Sequence, residues 1–125
     1  MMLLPRAVRV FAHREPVDMR KSYDTLAAIV RLAMKKDVLL GDVFVFVGRR
    51  RRTAKALWWD GTGMALLGKR IAKGKFAAPW SHAGSDPLRW TTTELALFFE
   101  GSDLVTRSPV SPPPWDPNDR RLDFV

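Results

Sequence analysis

Three apolar segments that lie close together in the middle of the chain limit the possible folds most. They are VFVFV at 43–47, KALWW at 55–59 and MALLGKRI at 64–71, and all are rich in branched and aromatic residues. Only residues 48–54 and 60–63 separate them. Connections this short join antiparallel neighbours, because a parallel pair needs a crossover of about a dozen residues or more. The sequence therefore predicts three consecutive antiparallel strands.

Two helices are predicted to flank these strands. From Asp18 to about Lys36 there is no Gly or Pro, and apolar residues recur at spacings of three and four. The members of this stripe are Met19, Tyr23, Leu26, Val30 and Ala33. Asp18 is the expected N-cap of this long helix. A second, short helix is expected after the capping box Thr91-Thr92-Thr93-Glu94, and Gly101 is its natural stop.

The expected fold class is α+β, with an antiparallel sheet of about four strands, one long N-terminal helix and one short C-terminal helix. Further short β-rich segments lie at 8–11 and 88–90. We expect one domain over residues 1–107, because a chain of 125 residues holds a single modest core. Residues 108–125 are proline-rich and are expected to form an extended or disordered tail.

The composition excludes several classes of protein. The chain has no cysteine, so disulfides, thiolate metal sites and a cysteine nucleophile are excluded. Its start lacks the apolar core and cleavage site of a signal peptide, and no run of 18 apolar residues occurs. These observations predict a cytoplasmic protein.

The charge distribution directs attention to an anionic partner. The net charge is +8, and residues 1–80 hold 17 Lys and Arg against 6 Asp and Glu. Four consecutive arginines, Arg49 to Arg52, lie in the connection between the first two predicted strands. Because a turn does not need them and like charges repel, we expect folding to tolerate their loss and an external anion to relieve the repulsion. The alternative is a solvated charged loop that deters aggregation between sheet edges.

Other cations extend this hypothesis. Arg20 and Lys21 are expected in the first turn of the long helix, which is unfavourable for cations but suits an anion site. The alternative is that Arg20 pairs with Asp18 or Asp24. The candidate nucleic-acid-binding residues are Arg20, Lys21, Arg49, Arg50, Arg51, Arg52, Lys55, Lys69, Arg70, Lys73 and Lys75.

Two further features have more than one interpretation. Trp58 and Trp59 could stack on bases, but neighbours on a strand face opposite ways, so a core or interface position is the better interpretation. His13 and His82 belong to no catalytic or metal-binding pattern. The carboxylates available for a metal are Asp18, Asp24, Asp42 and Asp60, and each has a structural role open to it. We therefore predict no catalytic residue, no metal site and no cofactor.

Several motifs resemble a known family. RVFAHREPVDMRKSYDTLAAIV, the basic run ending in Lys55 before LWWDG, KR-x-x-KG-x-F and TELALFFEG are similar to the accessory proteins called TnpB. These are encoded by the second open reading frame of bacterial insertion sequences of family 66. The resemblance covers roughly residues 3–103. The positions that correspond to the family pattern are Asp18, Arg20, Lys21, Lys55, Trp59, Asp60, Gly63, Lys69, Arg70, Gly74 and Phe76.

The resemblance implies a role in transposition beside a companion small protein and a separate transposase. It assigns no biochemical role to any residue. This chain departs from the family at its end, where it continues with a proline-rich segment in place of a basic one. We expect a non-catalytic accessory protein that contacts DNA, at element ends, within a transposase assembly. A protein-binding adaptor without DNA contact is the alternative, and a small nuclease is a distant third.

Overall fold

The computed structural model describes residues 8–101, which form one α+β domain. In chain order its strands and helices are β1 (Val10–Ala12), α1 (Tyr23–Leu32), β2 (Val43–Val47), β3 (Thr53–Trp59), β4 (Met64–Arg70), β5 (Leu88–Trp90) and α2 (Thr92–Phe99). Two short 3-10 turns lie at Val38–Leu40 and Pro79–Ser81. The α+β class and the single domain are confirmed. The predicted boundary at residue 107 and the predicted tail lie outside the described residues.

The sheet has five strands in the order β4-β3-β2-β1-β5. The antiparallel run β2-β3-β4 is confirmed. The prediction of an antiparallel sheet of about four strands is wrong, because β1 pairs with β2 in parallel and β5 pairs with β1 antiparallel. The long connection through α1 carries the chain back to the end of the sheet at which β1 begins, so β2 runs in the same direction as β1.

Both faces of the central strands are covered. On one face α1 packs over Phe44, Phe46 and Leu57, whereas on the other face α2 packs over Val45 and its neighbours. This arrangement explains why all five residues of VFVFV are buried, although a sheet covered on one face would bury only alternate residues. We call these the α1 face and the α2 face of the sheet.

The first helix is shorter than predicted. It begins at Tyr23 with Ser22 as its N-cap and has 10 residues, so the prediction of a long helix from Asp18 is wrong. The preceding residues form an extended connection and a turn, in which the Val17 N–H donates to the Val47 carbonyl at 2.9 Å. The absence of Gly and Pro therefore indicated a longer helix than the tertiary contacts permit.

The second helix follows the sequence prediction closely. Thr91 is its N-cap, and its hydroxyl accepts a hydrogen bond from the Glu94 N–H at 3.0 Å. The Glu94 side chain accepts one in return from the Thr91 N–H at 2.9 Å. The predicted capping box is thus confirmed. Within residues 8–101 no helix has the length and apolar character that a membrane crossing requires.

Candidate nucleic-acid interface

The four arginines lie in the turn between β2 and β3, as predicted. The Gly48 N–H donates to the Thr53 carbonyl at 3.0 Å and the Arg51 N–H donates to the Gly48 carbonyl at 2.9 Å, so the turn is tight. Gly48 packs closely on Met19, because an added Cβ would lie 2.8 Å from Met19 Cγ and would force that side chain to move. This close approach holds the turn against the segment that precedes α1.

Arg51 differs from its three neighbours. Its backbone is left-handed, with φ of 61°, and the residue is partly buried, whereas its neighbours are exposed. Its Nε donates to the Phe76 carbonyl at 2.8 Å, and its own carbonyl accepts from the Phe76 N–H at 2.7 Å. Arg51 thus joins the turn to the chain that follows β4, and we expect it, unlike its three neighbours, to stabilise the fold.

The end of β4 lies directly beside this turn. Thr53 and Arg70 are opposite each other in the β3-β4 register, and the Ile71 N–H donates to the Arg52 carbonyl at 2.9 Å. The loop at 71–75 then leads to Phe76, which is bonded to Arg51. Lys73 and Lys75 are exposed within this loop.

We call this region the arginine end of the sheet. Its exposed cations are Arg49, Arg50, Arg52, Arg70, Lys73 and Lys75. Among residues 8–101 the ion pairs within salt-bridge distance are Arg9–Asp42 and Arg20–Asp18, so none of these six forms an ion pair with a described carboxylate. Because the loop at 71–75 returns beside the turn, cations that are about twenty residues apart in sequence share one surface.

A groove of about 530 Å³ opens at the arginine end. Its walls are the arginine turn and Arg70 on one side and the segment Val17–Met19 on the other. Arg70 reaches this groove because it shares the α1 face with Thr53, its partner in the register. Five arginines and one carboxylate, that of Asp18, line the groove, so its charge is mainly positive.

Arg20 lies outside the first helical turn in which the sequence prediction placed it. Its guanidinium pairs with Asp18 at 2.7 Å, as the alternative interpretation held. Hydrogen bonds from Arg20 hold the pKa of Asp18 well below its ordinary value. Because the Arg20 side chain is 91% exposed, the pair is solvated and can exchange its partner for an external anion.

A hydrogen bond joins the side chain of Lys55 to the backbone of Lys21. Lys55 Nζ donates to the Lys21 carbonyl at 2.7 Å and thereby attaches the segment before α1 to β3. Lys21 also lies outside α1, which begins only at Tyr23. Lys55 thus has a structural role in this fold that the sequence prediction did not anticipate.

Lys69 does not join the arginine end. It is opposite Ala54 in the register and therefore lies on the α2 face, whereas Arg70 lies on the α1 face. Its Nζ donates to the Phe99 carbonyl at 2.6 Å, at the C-terminal end of α2. A cation in this position interacts favourably with the helix dipole.

The two tryptophans are confirmed to face opposite ways. Trp58 packs against the core on the α2 face, whereas Trp59 lies on the α1 face beside Met64. Neither tryptophan lines the groove at the arginine end.

The carboxylates that were considered as metal ligands make separate contacts in the fold. Asp42 binds Arg9 at 2.8 Å, and Asp60 accepts hydrogen bonds from Thr62 and Gly63 in its turn. Among residues 8–101 no three histidine or carboxylate side chains are close enough together to hold a metal ion.

One cavity was not anticipated from the sequence. His13 and His82 both line a space of about 320 Å³ next to Arg14, whose guanidinium donates to the carbonyls of His82 and Ala83. Burial lowers the pKa of His13. Nε2 of His82 is buried without a hydrogen-bond partner among the described residues. No sequence spacing could have brought these two histidines together, because they lie on separate elements.

The fold and the site define a small α+β protein with a cationic groove at one end of a mixed sheet. The family described as IS66 Orf2 like protein matches residues 8–109. The chain belongs to this family, which confirms the resemblance seen in its motifs and associates it with accessory proteins of insertion-sequence transposition.

Two relatives come from Sinorhizobium fredii (strain NBRC 101917 / NGR234). Uncharacterized protein y4jC is 36% identical over 110 residues, which cover 86% of this chain and 92% of the relative. Uncharacterized protein y4hO is 33% identical over 96 residues, which cover 77% of this chain and 82% of the relative. No solved structure matches the chain.

Proposed function

We propose that this protein is a non-catalytic accessory protein of DNA transposition that contacts DNA phosphates through the arginine end of its sheet. The observation that carries the proposal is the presence of six exposed cations at one end of the sheet, four of which, Arg49, Arg50, Arg52 and Arg70, line one groove. A fold that only needed a turn between β2 and β3 would gain nothing from this concentration of like charge. An external polyanion would neutralise it, and the family supports DNA transposition as the setting.

The proposed partners are the DNA at element ends, the transposase and its companion accessory protein. The groove lies at the sheet end, and neither helix of the described domain lines it. Phosphate contacts provide affinity without reading the base sequence. We therefore expect the isolated protein to bind DNA with weak sequence preference and to be positioned at element ends by its protein partners.

The salt dependence of DNA binding tests this proposal. If five of the six cations contact phosphates, log affinity falls with log salt at a slope of about −4.5, or roughly 500-fold between 50 and 200 mM. The double variant Arg49→Ser/Arg50→Ser removes two contacts, so its slope should be about −2.7, or roughly 40-fold over the same range.

A matched control variant has the same net charge as Arg49→Ser/Arg50→Ser but keeps the arginine end intact. Arg31→Ser/Arg89→Ser removes two exposed arginines from α1 and β5, away from the groove, and should leave the slope near that of the original chain. A flat salt response at measurable affinity, or equal effects of the two double variants, would contradict phosphate binding at the arginine end. No binding at any salt would favour the alternative, an adaptor that binds the transposase without touching DNA.

The non-catalytic part of the proposal has its own test. Supercoiled and single-stranded DNA should stay intact with the purified protein and magnesium or manganese. Asp60→Asn tests whether any cleavage depends on a carboxylate of this protein. Asp60 suits this test because it is exposed and its turn tolerates Asn. Cleavage that copurifies with the protein and disappears in a folded Asp60→Asn variant would overturn the accessory role.

A further inference from the structure

The outer edge of β4 carries a second feature, which shares Arg70 with the arginine end. The Ile71 N–H donates to the Arg52 carbonyl, and the Asp60 N–H donates to the Gly63 carbonyl at 3.0 Å. These two bonds lie at opposite ends of the β3-β4 pair. Because alternate residues of an antiparallel strand bond to the same neighbour, the two bonds show which residues of β4 bond to β3. Every second residue of β4 therefore directs its backbone N–H and C=O away from β3. These residues are Met64, Leu66, Gly68 and Arg70.

This edge is long and regular. All seven residues of β4 pair with β3 in an uninterrupted register, so no bulge bends the strand, and the strand contains no proline. Among residues 8–101 no other strand pairs with its outer side. Leu67 is 45% exposed near the middle of the strand. Natural sheets usually protect such an edge, because its free backbone groups accept another strand.

The two ends of this edge have opposite chemistry. Near Met64 a mainly apolar groove of about 500 Å³ lies between the sheet and the segment after α1. Ala27, Val38 and Trp59 help to line it, together with the charged residues Arg31, Lys36 and Asp37. Leu39 lines the same groove and is 59% exposed. At the other end of the strand lies the guanidinium of Arg70.

We propose that the outer edge of β4 binds an extended segment of a partner protein. The segment adds a sixth strand to the sheet, places a carboxylate beside Arg70 and inserts a large apolar side chain into the groove beside Met64. Main-chain hydrogen bonds supply affinity in this mode of recognition, and side chains at the two ends supply specificity.

A second copy of this chain fits the edge less well. In an antiparallel pair of two β4 strands centred near Leu67, Arg70 of one copy would lie at Met64 of the other. The guanidinium would then lie beside a groove whose charged lining residues are two cations, Arg31 and Lys36, and one carboxylate, Asp37, so like charges would outnumber the opposite one. A partner strand that places a carboxylate beside Arg70 and a large apolar side chain beside Met64 matches both ends of the edge.

A selection experiment on the full chain tests the proposal. A random twelve-residue peptide display library should yield strand-forming sequences with an acidic residue towards one end and a large apolar residue towards the other. Gly68→Pro should weaken the selected peptides at least about tenfold, because the ring removes an outward N–H without touching the ladder to β3. Gly68→Ala is the matched control, since its Cβ would lie 3.8 Å from Lys55 Cγ, in ordinary contact.

Further measurements separate the possible outcomes. Arg70→Glu should change the preferred acidic residue to a basic one, which tests the proposal even if Gly68→Pro does not fold. DNA binding should persist in folded Gly68→Pro, so peptide recognition can fail without affecting the proposed DNA contact. The proposal is overturned by a library that yields no enriched sequence or by peptides that bind Gly68→Pro as well as the original chain. A dimer seen by sedimentation and broken by Gly68→Pro would likewise overturn it, in favour of a second copy.

Discussion

Replacement of Arg51 should separate the structural arginine of the turn from its three neighbours. In Arg51→Ala the Phe76 carbonyl loses the Nε donor that lies at 2.8 Å. A hydrogen bond from a charged donor contributes about 1.5 to 3 kcal/mol, so we expect the free energy of unfolding to fall by about 2 kcal/mol. For a domain of this size, this corresponds to roughly 8 to 16 °C in Tm.

Arg51→Gly isolates the backbone contribution. Glycine loses the same hydrogen bond, but it adopts the left-handed backbone at φ of 61° without steric cost. That conformation costs other residues roughly 1 kcal/mol or more, so Arg51→Gly should be about 1 kcal/mol more stable than Arg51→Ala. Arg50→Ala is the control, because Arg50 is exposed, and its stability should change by no more than about 0.5 kcal/mol.

Equilibrium urea denaturation of the three variants measures these differences. If Arg51→Ala is as stable as Arg50→Ala, the bond to Phe76 does not stabilise the fold and Arg51 belongs with the other arginines. If Arg51→Gly is less stable than Arg51→Ala, the left-handed turn is not formed in solution. Arg51→Gly should retain most of its affinity for DNA, because the exposed cations of the arginine end remain.

Three further predictions concern other contacts. Lys55→Met keeps the aliphatic stem but loses the bond to the Lys21 carbonyl, so urea denaturation should show a loss of about 1.5 kcal/mol, and no loss would mean that this bond is dispensable. Thr91→Ala removes the cap of α2 and should cost about 1 kcal/mol in the same assay, whereas an unchanged midpoint would contradict the capping box. Hydrogen bonds from Thr62 and Gly63 lower the pKa of Asp60, so its contribution to stability is present above about pH 4 and is lost as the pH falls further. Unfolding of Asp60→Asn should therefore depend less steeply on pH below 4, and identical profiles would count against this contribution.

Local sequence patterns predicted several elements correctly. VFVFV, KALWW and MALLGKRI became β2, β3 and β4, because short connections leave antiparallel pairing as the only arrangement. The Thr91-to-Glu94 capping box also formed, since both of its hydrogen bonds lie within four consecutive residues. The position of the arginine turn follows from the same local information.

The errors arose where distant segments compete. The stripe from Met19 to Ala33 suits a long helix, yet Val17 bonds to the end of β2, and residues 18–21 form a turn before Ser22. The three-residue strand β1 lies between β2 and β5, which no local pattern could indicate. Its pairing depends on contacts across about thirty and eighty residues of sequence.

The sequence by itself determined the family, the antiparallel run β2-β3-β4 and the presence of four arginines in one turn, because these properties depend on residues close together in the chain. Only the tertiary structure decided which cations share a surface. Lys69 and Arg70 are adjacent in sequence, but the alternation of side chains along β4 sends Lys69 to the end of α2 and Arg70 into the groove. Arg51 likewise became structural only because the loop after β4 returns Phe76 to its side.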